Sequence, residues 1–154
     1  MVKIEIGCGY NKREGFIGLD KAKEVNPDMV CDIEQGLPFE DNSVDYIYSE
    51  HALEHITPSK WRFVLGEIQR VAKPGCVLEF KLPYDNSGQR TNADHFRTFS
   101  WHSFDQYIDG GGRNYYGSLR LKKLTKDPNK FIKLFYYLFP FLLYEIHFKF
   151  EVVK

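Results

Sequence analysis

Cysteine is scarce here: Cys8, Cys31 and Cys76 are the only three, and they show none of the paired spacing of a zinc-binding motif. An odd number cannot all pair, which favours a reducing, cytoplasmic setting. No uncharged run approaches the roughly 18 residues of a membrane-spanning helix. The opening MVKIEIGCGY lacks the apolar core of a secretory leader. No Lys/Arg-rich run is interleaved with aromatics, so no nucleic-acid partner is expected. Net charge is missing too, with 21 basic and 21 acidic side chains. That balance conceals an asymmetry: residues 1–110 carry 12 basic and 18 acidic groups, residues 111–154 carry 9 and 3. A solvated basic face is the ordinary meaning of such a segment; attraction to an anionic substrate, partner or lipid surface is the sharper one.

What is present describes a single domain over residues 1–154. Its composition, 43% hydrophobic and 27% charged, is ordinary for a globular chain able to bury one core. Val2–Ile6 alternates apolar and charged residues and then meets Gly7-Cys8-Gly9, a strand entering a tight loop. Further strands are expected at 16–19, 28–31, 44–48 and 76–82. Ser59–Val71 carries apolar residues at helical spacing, with Ser59 or Thr57 as its cap and KPGC as its stop. Strands alternating with a helix and polar turns predict an α/β fold with a mainly parallel sheet. Ligands bind such sheets beyond the carboxyl ends of the strands. The loop at Gly7–Gly9, Asp20, Asp32 and Ser49-Glu50-His51 all fall at those ends.

Three stretches, KIEIGCGYNKREGFIGLD, VCDIEQGLPFEDNSVDYIYSEHALEHI and LGEIQRVAKPGCVLEFKLP, resemble the class I S-adenosylmethionine-dependent methyltransferases, in particular their small type 11 branch. The resemblance covers about residues 2–83 and implies a Rossmann-like sheet, mostly parallel with an antiparallel C-terminal strand. It implies S-adenosylmethionine as cofactor, with residues 1–83 as the cofactor-binding half and 84–154 as the substrate and lid half. Carried over residue by residue, Gly7, Cys8 and Gly9 would hold the amino-acid end of the cofactor, and Asp20 the ribose hydroxyls. Asp32 would lie beside the adenine amino group with Ile33 against the ring. Glu5 would orient the loop, and Ser49 would stand at the cleft. Glu50 and His51 would face the reactive methyl group, with His95 a third catalytic candidate. One departure is clear. Ten residues separate Gly9 from Asp20, fewer than a helical crossover needs, so the first crossover helix is expected to be shortened or absent.

His51-Ala52-Leu53-Glu54-His55 also spells H-x-x-E-H, a zinc-hydrolase signature. That chemistry needs a long helix and a third ligand from a later segment. Here the first histidine follows a strand directly, and Pro58 cuts the helix short. No metal site is expected. Leu53 and Ile56 are assigned to the core, and His55 to a structural role within the turn.

In the second half, Asp94, His95, Arg97 and His102 are candidates to face substrate; the alternative is that Phe96, Phe99 and Trp101 anchor a lid by packing while those polar residues are solvated. Asp109–Arg113 has the composition of a loop that closes a site. A strand is expected over 116–124, a helix over 131–139 interrupted by Pro140, and a last strand over 146–152. The aromatic, basic last third is a candidate for peripheral membrane, protein or oligomer contact, although packing over its own sheet is the expected arrangement. The expected function is methyl transfer to a small-molecule acceptor. The alternative is a degenerate, non-catalytic domain that serves as a binding partner.

Overall fold

In the computed structural model, which describes residues 1–85, 92–108, 119–139 and 142–154, seven strands form one sheet in the order β3-β2-β1-β4-β5-β7-β6. The strands are β1 (Lys3–Ile6), β2 (Ile17–Asp20), β3 (Met29–Val30), β4 (Val44–Glu50), β5 (Ala72–Pro83), β6 (Leu121–Lys123) and β7 (Glu145–Val152). β1 pairs in parallel with β2 and β4, β2 with β3, and β4 with β5, while β7 runs antiparallel to β5 and β6. This is the expected mixed, Rossmann-like sheet. The first crossover has no helix: between β1 and β2 the chain makes only turns.

The missing helix explains how the strands are written. A parallel sheet covered on both faces reads as nearly continuous apolar sequence, whereas β1, β4 and β5 alternate. Ile4, Ile47, Leu78 and Phe150 share one face in register, followed by Ile6, Ser49, Phe80 and Phe148. On this face α1 (Trp61–Val71) buries Val64, Leu65, Ile68 and Val71 in the core. Phe104 packs there too, 5.0 Å from Phe148 between ring centroids. Each such side chain contributes about 1.5–3 kcal/mol on burial. The opposite face carries Lys3, Glu5, Tyr46, Tyr48, Glu79 and Lys149. Tyr46 donates to Glu79 and Tyr48 to Glu50. The helix-free loop supplies its own cover: Phe16 meets Tyr46 and Tyr48 edge-on, and the Arg13 guanidinium lies 4.2 Å from the Tyr48 ring centroid.

Several expectations need correction. Neither Ser59 nor Thr57 caps α1, which begins after Lys60 without a side-chain cap. Thr57 instead donates its backbone N–H and its hydroxyl to the Glu34 carboxylate. The later helix, α2 (Lys130–Leu138), is capped by Asn129, whose side-chain oxygen accepts from the amides of Phe131 and Ile132. It does not pack over the sheet: none of its residues is buried, and Phe131 is 70% exposed. Among the described residues no helix is long and apolar enough to cross a membrane. Asp109–Arg113, residues 116–118 of the expected strand and Pro140 lie outside the described residues.

Candidate functional site

Beyond the carboxyl ends of β1, β2, β3 and β4 lies a cavity of about 730 Å³, a size that suits a cofactor and part of a substrate. Its floor is the loop after β1. Gly7 and Gly9 both have positive φ, +70° and +52°, where only glycine sits without strain. Their reasons differ. A Cβ on Gly7 would stand 2.3 Å from the Cβ of Ala52, so Gly7 is needed by packing within the protein. A Cβ on Gly9 would meet nothing within 4 Å. Cys8, between them, is buried and does not reach the cavity.

Asp20 ends β2 at the cavity wall. Its Oδ2 accepts from the Gly9 amide at 3.0 Å and its Oδ1 from the Ala22 amide at 2.9 Å. Each oxygen keeps a further lone pair, so the carboxylate is both fixed and still able to accept. Asp32 and Ile33 line the far wall, with Asp32 Oδ1 holding the Glu34 amide at 3.0 Å. Cys31, Glu34, Lys21, Ala52 and Thr57 line the same space, although sequence reasoning did not select them.

Glu5 does not line the cavity. It is buried on β1, and its Oε2 accepts from the Arg13 amide at 2.7 Å, which ties down the loop. Burial pushes its pKa up. Ser49 is fully buried among Ile6 and Phe80, donating its hydroxyl to the Ile6 carbonyl at 3.1 Å. It braces β4 against β1 and does not reach the cavity. Glu50 also points elsewhere, toward Tyr48 and Lys81 on the polar sheet face.

His51 does line the cavity. It holds φ +49°, a left-handed backbone unusual outside glycine and of the sort concentrated at functional sites. Its Nδ1 meets Glu54 Oε1 at 3.2 Å and its Nε2 meets Glu145 Oε2 at 3.1 Å. The hydrogen bond to Glu54, with Glu145 adding to it, raises the His51 pKa above its ordinary value. Glu145 comes from the start of β7, 94 positions away, and no sequence signal joins it to His51.

Leu53–His55 is a single tight turn rather than a long helix, and Leu53 and Ile56 are core residues. His55 is not confined to the turn: it lines the cavity, and its Nδ1 meets the Asp94 carbonyl at 3.0 Å. Asp94 and Phe96 line the cavity, and His95 does not. Phe96 is 52% exposed, so of the three expected anchors Phe99 is the buried one, stacked 5.9 Å from Phe104. Arg97 lies 4.0 Å over the Trp61 ring, where burial lowers its pKa. His102 pairs with Asp105 at the surface.

Residues 4–80, half of the chain, match the family model described as a methyltransferase domain. The chain is 34% identical over 98 residues to the sterol 4-C-methyltransferase strm-1 of Caenorhabditis elegans. That match covers 62% of this chain but 26% of the relative, so the chain spans about a quarter of that protein's length. An S-adenosylmethionine-dependent methyltransferase from Archaeoglobus fulgidus shares the fold with a TM-score of 0.65 at 15% identity, covering 99% of this chain and 85% of that one. The YcgJ protein from Bacillus subtilis does so with a TM-score of 0.64 at 15% identity, covering 99% and 91%.

Proposed function

The chain belongs to the methyltransferase-domain family, whose cofactor is S-adenosylmethionine, and we propose that it transfers the methyl group of that cofactor to a small-molecule acceptor. One observation carries the reading. Gly9, Asp20, Asp32, Ile33 and His51, from four strand ends and their loops, converge on one cavity of cofactor size.

The residues fit the cofactor. The open space over Gly9 admits a close backbone approach, and the fixed Asp20 carboxylate keeps acceptor capacity for two ribose hydroxyls. Asp32 and Ile33 offer a polar edge and an apolar face to an adenine ring. When bound, the cofactor supplies a methyl carbon on a cationic sulfur, and the protein contributes binding and orientation. Methyl transfer breaks that carbon–sulfur bond, forms a bond from carbon to the acceptor atom and releases S-adenosylhomocysteine. A hydroxyl acceptor also loses a proton. Of the catalytic candidates, His51 is the one that lines the cavity, and with a carboxylate at each ring nitrogen we assign it the positioning of the acceptor, whose proton passes to solvent. Glu54 and Glu145 hold its ring.

Two observations support this acceptor class. The relative from Caenorhabditis elegans is a sterol methyltransferase, and α2 offers an apolar surface of Phe131, Leu134, Tyr137 and Leu138. Arg120, Lys122, Lys126 and Lys130 flank that helix. An apolar acceptor drawn from an anionic lipid surface suits both features. The second reading, a non-catalytic partner domain, draws on the same exposed helix and on the missing crossover helix.

Calorimetric titration with S-adenosylmethionine and S-adenosylhomocysteine decides between them. Micromolar binding is expected, and Asp20→Ala should weaken it by about ten- to a hundredfold, the loss of charge-assisted hydrogen bonds worth about 1.5–3 kcal/mol. Absence of binding at about 1 mM ligand, a limit near 4 kcal/mol, would leave the partner reading standing and remove the enzyme.

A further inference from the structure

The histidine that opens the H-x-x-E-H run is committed elsewhere, both its nitrogens facing carboxylates at 3.2 and 3.1 Å. The two remaining members, Glu54 and His55, meet a residue that sequence spacing does not connect to them. The segment 92–97 folds back over the turn: the Phe96 amide donates to the Glu54 carbonyl at 3.0 Å, and His55 Nδ1 faces the Asp94 carbonyl at 3.0 Å. This brings the His95 ring edge-to-face on His55, with centroids 4.8 Å apart. One ligating atom from each of Glu54, His55 and His95 lies within 4.8 Å of the others.

Two buried polar atoms in this cluster have no hydrogen-bond partner, Glu54 Oε2 and His95 Nδ1. Glu54 is fully buried. Buried polar atoms are almost always paired, because leaving one without a partner costs several kcal/mol. A buried, unpaired carboxylate oxygen and a buried, unpaired imidazole nitrogen beside the half-buried ring of His55 therefore call for a shared partner, and a cation answers both.

We propose that Glu54, His55 and His95 form a binding site for a divalent first-row transition-metal ion, with its open coordination position toward the cofactor cavity. Two imidazoles and one carboxylate suit zinc or iron(II), not magnesium or calcium, which take oxygen ligands. Three protein ligands leave a position free. His55, Asp94 and Phe96 all line the cavity, so that position looks into it. The surrounding bonds prepare the ligands. The Asp94 carbonyl holds the proton of His55 on Nδ1, which leaves Nε2 to coordinate. His51 fixes Oε1 of Glu54 and leaves Oε2 to the metal. Asn92 Nδ2 stands 3.1 Å from His95 Nε2, and coordination through Nδ1 requires that amide to turn its oxygen to the ring. Ligand bonds of about 2.0–2.2 Å also require the donors to draw together by about an ångström. If the methyltransferase reading holds, the site selects acceptors that present an oxygen or nitrogen donor to the metal.

The test is direct metal binding by the whole chain after chelator treatment and gel filtration, with zinc and cobalt(II) as probes and magnesium as the control. The expected result is about one zinc or cobalt per chain, tetrahedral or five-coordinate absorption bands for cobalt, and no retained magnesium. His95→Ala should lower zinc affinity by about tenfold or more, whereas His102→Ala, at an exposed histidine paired with Asp105, should not change it. Glu54→Gln provides a second variant, checked for folding by circular dichroism. Zinc retained equally by the His95 variant, or no retention by the parent protein, would overturn the site. Cofactor titration of the same samples is a separate readout, so failure of the metal site leaves the cofactor site untouched.

Discussion

Gly7 and Ala52 meet so closely that a Cβ on the glycine would stand 2.3 Å from that of the alanine. The loop at the cavity floor is thus locked against the segment that carries His51. Both the clash and the φ of +70° count against any side chain at position 7. Gly7→Ala should cost about 2–4 kcal/mol, combining overpacking with left-handed strain. Thermal denaturation should show a fall of several degrees, and cofactor affinity should fall with it. An unchanged melting temperature would mean that the contact relaxes without cost.

Cys31 is the half-buried thiol at the cavity wall, whereas Cys8 and Cys76 are buried in the core. Burial raises the Cys31 pKa, and it pushes Cys76 up to about 12. Because Cys31 is the accessible thiol and Cys8 and Cys76 are buried, alkylation in mildly alkaline buffer should modify Cys31 first, as read by peptide mass spectrometry. S-adenosylhomocysteine at about ten times its dissociation constant should slow that reaction about tenfold, because only the free protein reacts. Equal rates with and without ligand would place the ligand outside this cavity.

The Glu67–Arg70 pair supplies a pH-dependent part of the stability. Glu67 accepts from Arg70 Nε at 2.7 Å and from the Leu37 amide at 2.8 Å, and Arg70 also reaches the carbonyls of Leu37 and Phe39. The hydrogen bond from Arg70 is the first cause that holds the Glu67 pKa below its ordinary value. A depressed carboxyl pKa stabilises the fold above the unfolded value, about 4.3, and that contribution is lost as pH falls through the folded pKa. Urea denaturation at neutral pH should show Glu67→Gln to be less stable by about 1–2 kcal/mol. The gap should close as the pH drops below about 4. A difference that does not change with pH would assign the loss to packing.

α2 presents Phe131, Tyr137 and Leu138 at 70%, 72% and 60% exposure, and Lys126 and Lys130 stand at its start in the sequence. Sedimentation with anionic vesicles should carry the protein down, and binding should weaken as salt rises from about 0.05 to 0.5 M. Phe131→Ser with Leu138→Ser should cut the partition coefficient about tenfold or more, from the loss of at least 1.4 kcal/mol of apolar transfer. No binding to anionic vesicles would remove the lipid-surface reading and leave this helix for a protein partner.

Local pattern was enough for the succession of most strands along the chain, the position of α1, a first crossover helix shortened or absent, and the placing of Gly9, Asp20, Asp32 and His51 at one sheet edge. These follow from short-range rules: alternation, turn residues, and the ten residues between Gly9 and Asp20, too few for a helix. Side-chain direction was not legible in the same way. Strand periodicity places Ser49 and Glu50 on opposite faces without saying which of those faces is core, and neither opens on the cavity. The exposure of α2 was hidden because an apolar helix reads alike whether or not something covers it.

The longest-range relations belonged to the tertiary structure alone. Glu145 stands against His51 from 94 positions away, and His95 reaches His55 through a fold-back of residues 92–97. Spacing in sequence constrains partners only within one helix or hairpin. Which distant loops share a cavity is decided by how the sheet closes its ends, and that depends on the packing of the whole core.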